Sequence, residues 1–300
     1  MAQSCILEFY YADGAFALAN NILKLVFYKD CYSAGTELRG SIVWSGSIST
    51  LVRVRLTVGG RCIHDGYLEY ARQETGARPV MSFSSKGWSN LLTQNEPVPG
   101  MNYSVDLAGL GAINAAIPNV TYEQNTTTVN YINVKEHSTI WDAIGAYAMK
   151  AYSAQPYISG TNCVSVTART GTSFTYTADK VISKGSVCDR RSILSKAYME
   201  DYDGQYSVSL VNPAAADTGI VREKYFAFDR QWLNSLSMGL QLRLDHSNRR
   251  SKMSFIKLLG YSGEELFDSI TVGSTTKTVG GIELTLENGR AEALYYTMEQ

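Results

Sequence analysis

The sequence predicts a mainly β protein of the α+β class, with an α+β domain inserted between two β domains. Three observations lead there. Short runs of alternating apolar and polar residues crowd residues 22–105. The texture turns helical after Gly100, and strand-like runs return in the last third. The 300 residues include 20 tyrosines and are 45% hydrophobic, which suits half-buried strand surfaces and leaves material for two or three domain cores.

In the first region, "ILKLVFYKD" and "SIVWSG" read as strands. In "LVRVRLTV", Val52, Val54, Leu56 and Val58 point one way and Arg53, Arg55 and Thr57 the other, as in a strand with one buried face. Gly59-Gly60 then marks a two-residue hairpin turn. "RPVMSFSSKGWSNLLTQNEPVPG" reads as a strand, a short helix starting near Ser85, and a stop at Pro97 and Pro99. Together these define a β domain over 1–105, of barrel or sandwich type.

Residues 106–195 read as a small α+β unit. Asp106 is placed to cap a helix that Pro118 closes. Tyr131, Ile132 and Val134 form a strand, and Ser138 is the candidate N-cap of a helix with Ile140, Trp141, Ile144, Tyr147 and Ala148 on one face. "YISGTNCVSVTART" and "SFTYTADKVI" return to strands. The last β domain covers 196–300: strands in "RSILSKAYMEDYDGQYSVSLVN" and "IVREKYFAF", a loop at "PAAADTG", a helix capped by Ser235, and two closing strands turned at Asn288-Gly289.

Several function classes are disfavoured. A formal net charge of −1 does not suit a general nucleic-acid binder, which needs surplus cations to displace counterions. Cys5, Cys31, Cys62, Cys163 and Cys188 lie far apart, as expected of reduced thiols in a cytoplasm, and form no zinc motif. His64, His137 and His246 stand at no metal-ligand spacing, and no phosphate loop or GxSxG elbow occurs. "MAQSCILEFYYADG" carries no signal-peptide pattern, and no apolar run reaches the length of a membrane span. Glu200, Asp201 and Asp203 in "YMEDYDG" read as a solvated turn, and Glu264, Glu265 and Asp268 in "SGEELFD" as a surface loop or helix start. Arg190-Arg191 and Arg249-Arg250-Lys252 are two short basic clusters, and Trp44, Trp88, Trp141 and Trp232 read as core packing. No catalytic residue, metal or cofactor is assigned.

Several stretches together resemble the baseplate hub proteins of phage tails and phage-like contractile particles: "TVGGRCIHDGYLEYARQE", "VMSFSSKGWSNLLTQNEPVPG", "NYINVKEHSTIWDAI", "PYISGTNCVSV" and the run from Val221 to Leu258. The resemblance is one of order and local pattern between Leu23 and Met298. It implies two tail-tube-type β-barrel domains around the inserted unit and no enzymatic activity. It also implies a homotrimer forming a ring between a six-fold tail tube and a three-fold spike. The implied partners are the chain itself, the tube protein, the spike and other baseplate proteins, with phage DNA passing the lumen unread and no membrane insertion. The implied location is the virion, after synthesis in the host bacterial cytoplasm. "VKEHSTIWDAI" also resembles the start of LysM cell-wall-binding modules. Under that alternative, residues 129–170 bind peptidoglycan through Trp141 and Tyr157, or a hydrolase uses Glu200 and Asp203.

Overall fold

The computed structural model describes residues 4–111, 117–167, 169–233 and 235–298. Contacts divide them into two compact units, the chain up to Lys184 with Ile256–Met298, and Gly185–Phe255.

The first unit begins with β1 (Cys5–Tyr11), β2 (Phe16–Leu18), β3 (Ile22–Asp30), β4 (Glu37–Val43), β5 (Leu51–Val58), β6 (Arg61–Glu74) and β7 (Val80–Gly87). β1 is a strand the sequence analysis does not assign, although Leu7 and Phe9 alternate into the core. β5 keeps the expected alternation except at Val52, which is 43% exposed. Its pairing with β1 slips at Tyr10/Tyr11, so Leu51 takes the inward position in its place. Gly59 and Gly60 turn the β5–β6 hairpin at φ 58° and 80°. The 3-10 turn that follows β7 starts at Trp88 rather than near Ser85, because β7 stays paired with β6 as far as Gly87.

The α+β segment contains β8 (Gly100–Val105), α1 (Leu107–Gly111), β9 (Thr121–Tyr122), β10 (Val129–Val134), α2 (Ile140–Tyr152), β11 (Tyr157–Ser159) and β12 (Cys163–Ser165). The Asp106 carboxylate accepts the Gly109 N–H at 2.7 Å, the expected cap. Residues 112–116 of that expected helix lie outside the described residues. α2 is capped by Thr139, one residue later than expected. Asp142 three positions on completes a capping box, with Thr139 Oγ1 accepting the Asp142 N–H at 3.1 Å and Asp142 accepting the Thr139 N–H at 2.9 Å. Ile132, Val134, Ile140, Ile144, Tyr147 and Val164 form the segment's own core, which reaches back to Leu92.

β13 (Ser173–Tyr176) and β14 (Val181–Val187) lead out of the first unit. The second unit holds β15 (Lys196–Met199), β16 (Val208–Val211), β17 (Glu223–Phe226) and α3 (Leu236–Asn248), with Leu240 and Leu244 packed on Ala197 and Met199. "PAAADTG" forms a 3-10 turn over Pro213–Thr218. Ser235 stands at the N-cap of α3 without a side-chain cap bond. The chain returns through β18 (Met253–Leu259), β19 (Ser269–Val272), β20 (Thr275–Glu287) and β21 (Arg290–Met298). Asn288 and Gly289 turn the last hairpin at φ 51° and 73°.

One large sheet runs in the order β14-β18-β21-β20-β3-β4-β7-β6-β5-β1-β2. β20 is its fork: Gly281–Glu287 pair with β3, while Thr275–Thr278 pair with β19, which in turn pairs with β13. Strands from near both ends of the chain thus share one apolar core, in which Phe9, Leu38 and Met81 join Leu258, Ile282 and Tyr295. The sequence boundary at 105/106 falls between β8 and α1, whereas contacts draw the unit boundaries at 184/185 and 255/256.

Candidate interaction surfaces

Among the described residues, no group of His, Cys, Asp and Glu is arranged to hold a metal ion. His64 is fully buried, with Nδ1 2.8 Å from Thr36 Oγ1 and Nε2 2.8 Å from Ser85 Oγ. The Ser85 hydroxyl donates to the Tyr67 carbonyl at 2.9 Å. Its proton is therefore committed, and His64 donates to Ser85 from Nε2 while accepting from Thr36 at Nδ1. That polarity is the reverse of a histidine base activating a serine. Burial also holds the imidazole neutral by pushing its pKa down to about 3.

The carboxylates of "YMEDYDG" organise a turn. Asp201 accepts the N–H groups of Asp203 and Gln205 at 3.0 and 2.9 Å and the Ser207 hydroxyl, while Glu200 accepts the Phe228 N–H at 3.0 Å. Asp203 is exposed. Trp141 is half-buried in the first turn of α2. Tyr157 is 5% exposed, its ring meeting Phe267 edge-on with centroids 4.7 Å apart and its hydroxyl donating to the Thr167 carbonyl. A ring packed this way has no open face for a sugar. Of the four tryptophans only Trp44 is buried; Trp88, Trp141 and Trp232 are half-buried.

The "SGEELFD" segment departs from its expected place on the surface. Glu264, Glu265 and Asp268 are all buried. The Lys29 ammonium donates to Glu265 Oε1 and to the Gly160 carbonyl, both at 2.6 Å. Arg169 bridges to Asp268 at 2.9 Å and donates to the Leu266 carbonyl, and Arg61 donates to the Gly263 carbonyl at 2.7 Å. Nearby, the Asn162 amide donates to the Asp65 carbonyl at 2.8 Å and its oxygen accepts the Ser89 N–H. The β11–β12 turn is thereby bonded to β3 and β6, which fixes the α+β segment on the sheet. Lys29 and Arg61 come from strands more than 200 residues before their acidic partner, so a local reading of an acidic run finds only a loop.

The sheet's outward face is mostly a ladder of compensated charge: Arg53 clamps Asp65 with two bonds of 2.7 and 2.6 Å, Lys86 meets Glu69 at 2.9 Å, and Lys257 meets Glu292 at 2.6 Å. One corner differs. Glu8 and Tyr10 of β1 pair with Leu18 and Phe16 of β2, and the Tyr10 and Phe16 rings lie 5.7 Å apart. Ile6 of β1 and Phe16 and Leu18 of the three-residue edge strand β2 are about half exposed there, forming an apolar corner. In the sequence its signal is the alternation of outward Ile6, Glu8 and Tyr10 with inward Leu7 and Phe9 along β1.

No protein-family model and no curated protein matches the sequence. Solved structures do match. The 43 kDa tail protein of prophage MuSo2 from Shewanella oneidensis superposes with a TM-score of 0.70 at 12% identity, over 99% of this chain and 98% of that one. The tail protein from Neisseria meningitidis MC58 gives the same TM-score and identity over 99% and 97%. The fold is that of prophage tail proteins. A type VI secretion component of E. coli, c3393, described as structurally similar to the T4 tail proteins gp27 and gp5, shares this tail-protein fold at a TM-score of 0.54 and 6% identity, over 93% of this chain and 74% of its own. Identities this low transfer architecture rather than individual residues.

Proposed function

We propose that this chain is a structural baseplate hub of a phage or prophage tail. Three copies form a ring that joins a six-fold tail tube to a three-fold spike. The observation that carries the reading is the end-to-end match to two prophage tail proteins, which takes in the large sheet, the α+β segment and the helix-covered small sheet alike. On this reading the strands on either side of the β3–β20 junction make two tail-tube-type barrels, with the α+β, LysM-like segment between them as scaffold. Two similar barrels per chain give six around a three-fold axis. The partners are the tube protein, the spike and other baseplate proteins. Phage DNA passes the lumen without base-specific contact. The protein works in the virion after synthesis in the host cytoplasm. Among the described residues, no helix is long and apolar enough to cross a membrane.

The role is one of shape rather than of chemistry, supported by a buried His–Ser pair of inverted polarity and by turn-forming carboxylates. The apolar corner of Ile6, Phe16 and Leu18 supplies surface for a neighbouring copy to cover. Mass photometry of the purified chain, alone and with its spike, tests the proposal. A trimer is expected, and in electron micrographs a three-fold ring with a central hole. A monomer under both conditions at every concentration would overturn it.

A further inference from the structure

The second unit turns one sheet face away from α3. The strand order is β16-β15-β17, and the register sets Val211, Lys196 and Glu223 in one row and Ser209, Tyr198 and Tyr225 in the next. Alternation sends Ala197 and Met199 into the core, so these two rows face outward. The rings of Tyr198 and Tyr225 stack in parallel, with centroids 4.5 Å apart and planes 2° apart. Tyr206 meets Tyr225 edge-on at 5.2 Å. Lys196 Nζ lies 4.5 Å from the Tyr198 centroid, and the Tyr198 hydroxyl donates to Glu223 Oε2 at 3.1 Å. Tyr206 and Tyr225 remain 45% and 59% exposed.

Cross-strand packing explains the Tyr198–Tyr225 pair. It does not explain Tyr206, which precedes β16 and extends the row of rings into solvent. We infer that this face binds a neutral oligosaccharide. Lys196 and Glu223 cancel in charge, so the face offers no field to a phosphate polymer or an anionic membrane. It does offer a donor, an acceptor and phenolic hydroxyls beside apolar ring surface, which matches the hydroxyls and C–H faces of pyranose rings. Three strands of four residues span about 13 by 14 Å, the length of two or three linked sugar rings.

The test is saturation-transfer NMR on the full chain, with maltoheptaose and chitohexaose as probes at millimolar concentration. Transfer to pyranose C–H protons is expected for at least one probe. Binding should weaken about tenfold in Tyr225→Ala and in Tyr206→Ala, and hold in Trp141→Ala. Tyr206 lies outside the strands, so its variant reports on binding even where Tyr225→Ala lowers stability; circular dichroism melts check both. No transfer to either probe, transfer indifferent to both tyrosine variants, or transfer lost in Trp141→Ala instead would each overturn the inference. None of these outcomes bears on whether the chain trimerises.

Discussion

Lys29 is 2% exposed, and burial pulls its pKa down while Glu265 pulls it back up. A buried ammonium stays charged only where oxygens replace its water, and here Glu265 and the Gly160 carbonyl do so. Lys29→Met leaves Glu265 without that partner and should cost about 3–5 kcal/mol in urea unfolding, with the double variant Lys29→Met/Glu265→Met recovering part of the loss. His64 gives a pH prediction. Its folded pKa of about 3 lies below the ordinary 6.5, so the unfolded chain binds a proton that the folded chain refuses. The stability gained by keeping the ring neutral is complete above pH 6.5 and falls by about 1.4 kcal/mol per unit as pH drops from 6.5 toward 3. Unfolding free energies from urea titrations across that window should fall more steeply with decreasing pH in the native chain than in His64→Gln, the difference between the two being the His64 contribution.

Helix α2 and the β6–β7 pairing each hang on a local device. Thr139 and Asp142 satisfy each other's backbone donors, so Thr139→Ala should lower stability by about 1 kcal/mol, read as a shift in the thermal midpoint. Gly66 lies so close to β7 that a Cβ there would stand 2.1 Å from the Lys86 carbonyl oxygen. Gly66→Ala must therefore push the two strands apart, and soluble yield together with a lowered melting temperature should report it. The elements legible in the sequence are those with a local signature: the Gly59-Gly60 and Asn288-Gly289 turns, the Asp106 cap and the alternation of β5. The misplaced ones depend on partners. Val52 turns outward only because β1 slips beside it, and β7 runs past Ser85 only because β6 is there to pair with it.

At the scale of the molecule, the sheet brings β3 beside β20, joining strands more than 250 residues apart, and places the acids of the 264–268 segment against Lys29, Arg61 and Arg169. If a neighbouring copy covers the corner of Ile6, Phe16 and Leu18, a charge there must stay solvated and oppose the contact. Phe16→Glu should then shift the mass distribution from trimer toward monomer while the melting curve stays within a few degrees of native. A trimer that survives this change would place the subunit contact elsewhere.

The sequence by itself determined the β-rich class, the α+β segment in the middle, most turns and caps, and the order of motifs that resembles a tail hub. Each of these is encoded within about a dozen consecutive residues, as periodicity, glycine placement or cap chemistry. Only the tertiary structure decided that the strands on either side of the middle segment share one sheet and one core. It also decided that an acidic run is buried against distant cations, that Tyr157 is closed off, and that three tyrosines form an open row. Those outcomes depend on which surfaces meet after the chain has turned back on itself, and burial reverses the meaning of a charge or a ring without changing a letter of its neighbourhood.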